Sequence, residues 1–414
     1  MGNTFENTDL VLLKTIDKLE NYLGLAKVVD RDIEGDFQTS VGDTIWKRRP
    51  YYFAAQTGAV ISSYSDIEEG KVAITVDQRR HIPIKISSQE LALDIDAPRV
   101  NEIIDEAARE MAQQVETSIA DAYKGIWNYT NATGGATLDQ WADADAKLDE
   151  IGVEMMSVRY GFFTPRTKRT LAKDIAQDFS RPDTSTVEGA MKRAAVGTYS
   201  NVDFYQNQSL ATHTSGIATG TPLVNGASQE VTYATSRNTW TQSLITDGWT
   251  NDTADILVEG DVITIAGVFG VNNKTKEALG ELQQFVVTAD AAAGSTTGPA
   301  TLTISPPIII SGAYQTVSAT PADDAVITVV TGASQSRKEN LLILKDCINL
   351  SMVPLPQIKD GATSSTRADK ESGISIRVTR FYDGTNDELV MRFDVLYGVT
   401  VQNGYYGHRI ATAS

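Results

Sequence analysis

The strongest constraint on this chain lies between residues 43 and 127, where two extended arms joined by a loop run into one long helical stripe. From Val72 to Ile95 apolar residues return at every second position, through Val72, Ile74, Val76, Ile82, Ile84, Ile86, Leu91, Leu93 and Ile95. That is the period of a half-buried strand. Stretched continuously, such a run reaches roughly 80 Å, so part of it is expected to project from the subunit or bend along it. Pro98 behind Asp96 suits a first helical turn. Val100, Ile103, Ile104, Ala107, Met111, Val115, Ile119, Ala122 and Ile126 then share one stripe at spacings of three and four, which predicts a helix of about 45 Å. A subunit that touches its neighbours through such elements is one reading, and an ordinary α+β enzyme whose ribbon packs on its own core is the other.

At 414 residues, with 41% apolar and 21% charged residues, the chain can bury a large core divided among two or three domains. It has no run of about 20 apolar residues, so no membrane span is expected. The polar segment Met1–Leu10 lacks the basic-then-apolar order of a secretory signal, which places synthesis in the cytoplasm. A formal charge of −17 opposes general nucleic-acid binding, which needs clustered Lys and Arg. The one dense basic run, Lys47, Arg48 and Arg49, reads as a solvated strand end or a contact to an acidic neighbour rather than a phosphate site. The single cysteine, Cys347, sits among Leu341–Leu344 and Ile348, as a buried structural thiol would.

Along the chain, residues 10–29 form an amphipathic helical pattern capped by Asp9 and weakened at Gly24. Thr137 and Gln140 make a capping box ahead of Leu138, Trp141, Leu148 and Ile151, and Ser185 with Glu188 make a second. Between them stand a short strand at 160–163, Pro165 and a basic helix, an α/β-like alternation. From about Ser215 helix signals give way to β patterns at 261–268, 282–288, 300–305 and 325–330 between Gly-, Asp- and Pro-rich turns. Host-type signals resume near Lys338, and the chain closes in a hairpin turned at Asp383 and Gly384. Its second strand alternates from Leu389 to Val401. The order predicts a β barrel inserted into an α/β domain.

No constellation for catalysis stands out. His81, His213 and His408 are far apart and none has a metal-ligand spacing, so no metal is expected. The acidic stretch Asp139, Asp143, Asp145, Asp149, Glu150 has the length of a calcium loop, yet Ala144 replaces the needed glycine and Trp141 an oxygen ligand, so a helix is expected there. No G-x-S-x-G elbow, Walker loop or dinucleotide fingerprint occurs, and no cofactor is expected.

The order of elements resembles the major coat proteins of tailed phages with the HK97-like fold, and specifically the P22-type podovirus coat family with an inserted I-domain. Gly42–Trp46 resembles the strand leading into that family's E-loop, Phe162–Pro165 its A-domain strand-to-helix junction, and Leu396–Val399 its last P-domain strand. Gly260–Val268, Gln283–Thr288 and Leu302–Ser305 resemble I-domain barrel strands. The resemblance implies an α+β coat fold with an N-arm (1–40), a P-domain strand and E-loop (41–95), a spine helix (96–130) and a first A-domain part (131–214). A small β-barrel I-domain (215–337), a second A-domain part (338–372) and C-terminal P-domain strands (373–414) complete it.

It further implies a non-enzymatic virion protein that assembles with itself, as pentamers and hexamers of an icosahedral shell. A scaffolding protein and a portal protein would be its partners, and the shell would enclose double-stranded DNA without reading its sequence. Asp17 and Glu20 are the candidates for scaffold contact, and Asp247, Asp252 and Asp255, in a loop from Thr246, for salt bridges between capsomers. An encapsulin-like compartment shell and an enzyme with a β accessory domain are the alternatives.

Overall fold

The computed structural model describes residues 24–31, 43–53, 67–87, 97–155, 157–178, 197–250, 255–293, 298–358, 362–368 and 375–413. The chain forms two compact units. One comprises residues 1–45, 73–120 and 348–400, and the other residues 46–72, 121–347 and 401–414.

The first unit is organised by the strand Glu388–Val401. Its alternating apolar residues bury Met391, Phe393, Val395 and Tyr397. Ser375–Asp383 pairs antiparallel along one edge and is followed in the sheet by Thr363–Ala368. The turn sits where Asp383 and Gly384 predict it, with Thr385 N–H donating to Asp383 Oδ1 at 3.0 Å. Gln78–Ser87 lies antiparallel along the other edge in continuous register, from Gln78 opposite Tyr397 to Ser87 opposite Glu388.

The alternating run that starts at Val72 is therefore not one arm. Lys71–Thr75 pairs with Thr44–Arg48 as a two-stranded ribbon, and beyond Asp77 the chain changes partner. Period-two hydrophobicity selects a face and leaves the partner open, so the sequence alone could not separate the two. The register of this sheet is fixed by buried Asp394, which accepts from Arg377 Nη2 and Arg392 Nε, both at 2.8 Å, with Arg79 3.5 Å away.

The long helix is Ala97–Ala120, about 36 Å by its residue count. It buries Ala107, Met111, Val115 and Ile119 as the stripe predicts, with Ala108 and Ala112 beside them. It stops short of Ile126 because the next residues, Asp121–Gly125, tighten into a 3-10 turn. The helix meets the sheet through Ser118 Oγ and Tyr397 Oη, 2.7 Å apart.

Of the predicted N-terminal helix, the described part is a single 3-10 turn, Leu25–Lys27. Its exposed donors are taken up by one side chain. Buried Glu116 accepts from the backbone N–H groups of Gly24, Leu25 and Ala26 at 2.9, 3.0 and 2.9 Å. A carboxylate at the open N-terminus of a helical turn is the favoured arrangement.

In the second unit, Ser336–Ile343 pairs with Gly407–Ala413 and with Arg159–Phe163. The parallel pairs of Arg159–Phe163 with Val202–Gln206 and of Gly407–Ala413 with Tyr129–Ala132 extend this sheet outward. The C-terminal strands expected together over 373–414 are thus divided, since Gly407–Ala413 belongs to this sheet. Leu138–Ile151 and Pro165–Asp178 contribute Trp141, Leu148, Leu171 and Ile175 to a core shared with Phe163, Leu342 and Ile410. The capping box at Thr137 forms, with Thr137 Oγ1 accepting from Gln140 N and Gln140 Oε1 from Thr137 N. Asp145 and Asp149, on that helix, both hold buried Arg159 instead of a metal. The second box, Ser185 and Glu188, lies outside the described residues.

The inserted module is a six-stranded antiparallel barrel. Its order is Ile327–Val329, Val262–Val271, Ala278–Val287, Ala300–Ser305, Gln242–Trp249, Gly220–Val224, and it closes where Leu223 bridges Val326. Leu244, Trp249, Ile263, Ile265, Phe285, Leu302 and Ile304 fill it. Trp249 Nε1 is satisfied by Thr246 Oγ1 at 2.9 Å. The two chain crossings into the barrel are stitched by buried Asp261, which accepts from Gly216 N and Val258 N and from Thr331 Oγ1 and pairs with His213 Nε2 at 2.9 Å.

Removing the Glu116 carboxylate leaves three backbone donors without their partner. Glu116→Ala is expected to cost about 3 kcal/mol in urea unfolding, with faster amide exchange at Gly24–Ala26. Unchanged exchange there would mean that this carboxylate does not hold the turn.

Candidate assembly surface

The ribbon root is built by an unusual run, Lys47-Arg48-Arg49-Pro50-Tyr51-Tyr52-Phe53, and by the returning segment Ile67–Lys71. Arg49 N–H donates to Gly70 O at 2.9 Å, which holds the two sides together. Its guanidinium lies 5.0 Å over the Trp240 ring and donates from Nε to Arg237 O at 3.1 Å. Burial lowers its pKa to about 10. A cation stacked on indole recovers part of what it loses in leaving water.

Tyr52 continues the contact. Its ring meets Tyr314 edge-on at 5.6 Å, and Tyr314 stacks on Tyr233 at 3.5 Å. Lys276 Nζ lies 5.4 Å over Tyr52 from the barrel side. Burial moves both groups toward neutrality, Tyr52 up to about 12 and Lys276 down to about 8. Gly70 makes the approach possible, because a Cβ there would stand 2.3 Å from Tyr233 Oη and 2.9 Å from Arg237 O. The ribbon root is thereby clamped to the turn Tyr233–Ser236 and the loop that follows it.

The clamp leaves several large apolar side chains outside. Trp46 is 50% exposed, Phe53 61% and Ile67 68%, with Tyr51 beside them. Large exposed apolar side chains at the root of one ribbon make it a candidate interaction surface. Around them Tyr51 Oη donates to Glu69 Oε1 at 2.9 Å, and Arg48 lies 3.7 Å from the same carboxylate. Of the basic run, Arg48 thus meets an acidic neighbour as the sequence suggests, whereas Arg49 is half-buried against Trp240.

The residues singled out for contact fare differently. Asp17, Glu20 and Asp252 lie outside the described residues. Asp247 stands within the strand Gln242–Trp249 opposite Leu223, not on a loop, because the barrel pairing continues through Trp249. Asp255 is exposed at the start of a short strand opposite Ala292. Neither makes an ion pair with another described residue.

His213, His408 and the cysteine are structural in their settings. His213 stands between Tyr123 Oη at 3.0 Å and Asp261 at 2.9 Å, a relay in form. All three are buried, and Asp261 is saturated by backbone donors and Thr331, so nothing there can reach a substrate. Burial pushes His408 well below its ordinary pKa and the Cys347 thiol far above its own. Among the described residues no group of His, Cys, Asp or Glu is arranged to hold a metal, and no helix is long and apolar enough to cross a membrane.

The family model described as P22 coat protein, gene protein 5, matches residues 2–408. The chain belongs to the P22 coat protein family. A curated relative, the major capsid protein of Acyrthosiphon pisum secondary endosymbiont phage 1, is 23% identical over 98% of each chain. Solved structures with a similar course include Mycobacterium phage Che8, at 12% identity, 95% of this chain and 92% of that one, with a TM-score of 0.44. The head of Helicobacter pylori bacteriophage KHP40 follows at 10% identity, 100% and 92% coverage and 0.45. The CUS-3 coat protein I-domain matches at 29% identity over 28% of this chain and 98% of its own, at 0.20. The family match decides the assignment, since no TM-score here reaches the range that would.

This coat protein has an α+β fold with an inserted barrel, and it is the major capsid protein of a tailed phage. The ribbon root, which sequence reasoning did not resolve, is the candidate surface for assembly. Its signal is the basic-aromatic run 47–53 followed further along the chain by Gly70.

Two outcomes test the clamp. Gly70→Ala is expected to lower stability by about 2 kcal/mol, and adding Tyr233→Phe, which removes the clashing oxygen, to restore part of it, read as Tm. Lys276 has a folded pKa near 8 against an ordinary 10.5. The unfolded chain therefore binds more protons between those values, and stability from this group rises as pH climbs through that window. Lys276→Met should remove that rise between pH 8 and 10, and an identical slope in both proteins would contradict the burial of Lys276.

Proposed function

We propose that this coat protein builds the icosahedral shell of its phage, as pentamers and hexamers, through a procapsid assembled around a scaffolding protein and closed at a portal. The shell encloses double-stranded DNA without sequence-specific contacts, in keeping with a net charge of −17 that disfavours tight binding to the packaged polyanion. Synthesis and assembly take place in the host cytoplasm. The protein performs no catalysis, and its work is association. The domain limits follow the coat pattern, with 215–337 as the I-domain and the segments around it shared between the A- and P-domains.

The observation that carries this reading is the clamped ribbon root with Trp46, Tyr51, Phe53 and Ile67 left in water. A monomeric enzyme gains nothing from fixing such a surface, whereas a shell subunit buries it against its neighbour. Asp17 and Glu20 remain the proposed scaffold contact, acidic groups offered to basic partners, and Asp247, Asp252 and Asp255 the proposed contacts between capsomers.

Coat protein expressed with its scaffold should give uniform closed particles in negative-stain electron microscopy, and a small soluble oligomer would refute the reading. The Asp17→Lys, Glu20→Lys double variant should form particles depleted of scaffold, and unchanged scaffold content would remove those two residues from the interface.

A further inference from the structure

The ribbon root also carries an open cavity of about 430 Å³ lined by Trp46, Arg48, Glu69, Lys71, Arg237 and Asn238, with Gly70 at its floor. Three cations and one carboxylate meet there, in a chain whose 53 acidic residues outnumber its 36 basic ones. The carboxylate is already occupied, since Glu69 takes the Tyr51 hydroxyl at 2.9 Å and has Arg48 at 3.7 Å. Lys71 and Arg237 are not neutralised, because neither forms an ion pair with another described residue. Lys71 is held 4.4 Å over the Trp46 ring, which fixes its ammonium without cancelling its charge. Arg237 is positioned through its backbone, with its carbonyl taken by Arg49 Nε and its N–H donating to Tyr233 O at 2.8 Å.

We propose that this pocket receives an aspartate or glutamate side chain from a second copy of the same chain. The arrangement suits a carboxylate. An arginine fork can take both oxygens, a lysine adds a point charge, the Asn238 amide adds a donor, and the half-exposed Trp46 face shields the pair from water. Charge complementarity selects the occupant. Copies of a subunit with a net charge of −17 surround the pocket in a shell, so acidic side chains are the more abundant charged groups available to it. A nucleic-acid phosphate is the lesser fit, because phosphate binding gains from several cations in series and this pocket is a single site on an acidic chain. The proposal rests on the coat-protein reading and adds to it the chemistry of one contact.

The test uses closed particles assembled from a mixture of unlabelled and isotopically heavy subunits, treated with a water-soluble carbodiimide. The reagent activates a carboxylate, and the Lys71 amine displaces it as a urea, losing a proton and leaving an amide between the two side chains. Mass spectrometry should find Lys71 joined to an Asp or Glu peptide in mixed light–heavy pairs, which only a contact between copies can give. Closed particles in which Lys71 is linked only within its own chain, or not at all, would overturn the proposal. Failure of the unaltered chain to form particles would count instead against the coat reading.

A Lys71→Glu, Arg237→Glu variant provides a second readout. Particle yield should fall about tenfold or more while the free subunit keeps its Tm, and the conservative Lys71→Arg, Arg237→Lys variant should assemble normally. Normal yield with the charge-reversed pair overturns the proposal, and normal yield with loss of packaged DNA reassigns the pocket to phosphate. If the charge-reversed subunit does not fold, the cross-linking result decides alone.

Discussion

The stacking of Arg49 on Trp240, with Tyr52 beside it, is the interaction on which the proposed assembly surface depends. It partly withdraws a cation and a phenol from water and holds the ribbon root against the barrel side of its unit. Association then need not order that segment, and the ordering of loops and side chains is one of the larger costs of forming an interface. Trp46, Phe53 and Ile67 are consequently presented as a preorganised apolar face. The absence of a side chain at Gly70 is part of the same device, because any Cβ would separate the ribbon from Tyr233.

Elsewhere the fold repeats one solution to a different problem, that of tying distant segments together inside an apolar interior. Glu116 collects three backbone donors from a segment about ninety residues earlier. Asp261 collects donors from both crossings of the inserted barrel, and Asp394 gathers arginines from neighbouring strands. Each is a buried carboxylate whose charge is met by several donors at once, the condition under which burying a charge is tolerated. Such ties specify geometry more than they add stability. That suits a subunit whose elements must keep their relative positions while new contacts form around them.

The sequence revealed some of these elements plainly and hid others for identifiable reasons. The barrel strands were legible because alternating apolar residues stood between Gly- and Pro-rich turns, and the Thr137 capping box because its two residues sit at the required spacing. The partner of Gln78–Ser87 was not, since alternation names a buried face and says nothing of the strand beside it. Arg49 lay in a charged run that looked solvated, and only the approach of Trp240, far away in sequence, reverses that reading. Glu116 was one more acid among the polar positions of a helix, and its role depends on a turn more than eighty residues away. Asp247 lies in the stretch from Thr246 to Asp255 that reads as a loop, although the barrel pairing continues past it.

The central claim is that the face held out by the ribbon root is empty in the free subunit and covered in the shell. Amide hydrogen exchange measured on residues 46–53 and 67–72, in free subunits and in closed particles, tests it most directly. The account predicts exchange slowed by about tenfold or more in particles at both segments, as opening becomes coupled to loss of a neighbour. Equal exchange in the two states would show that the ribbon root takes no part in the contacts between subunits.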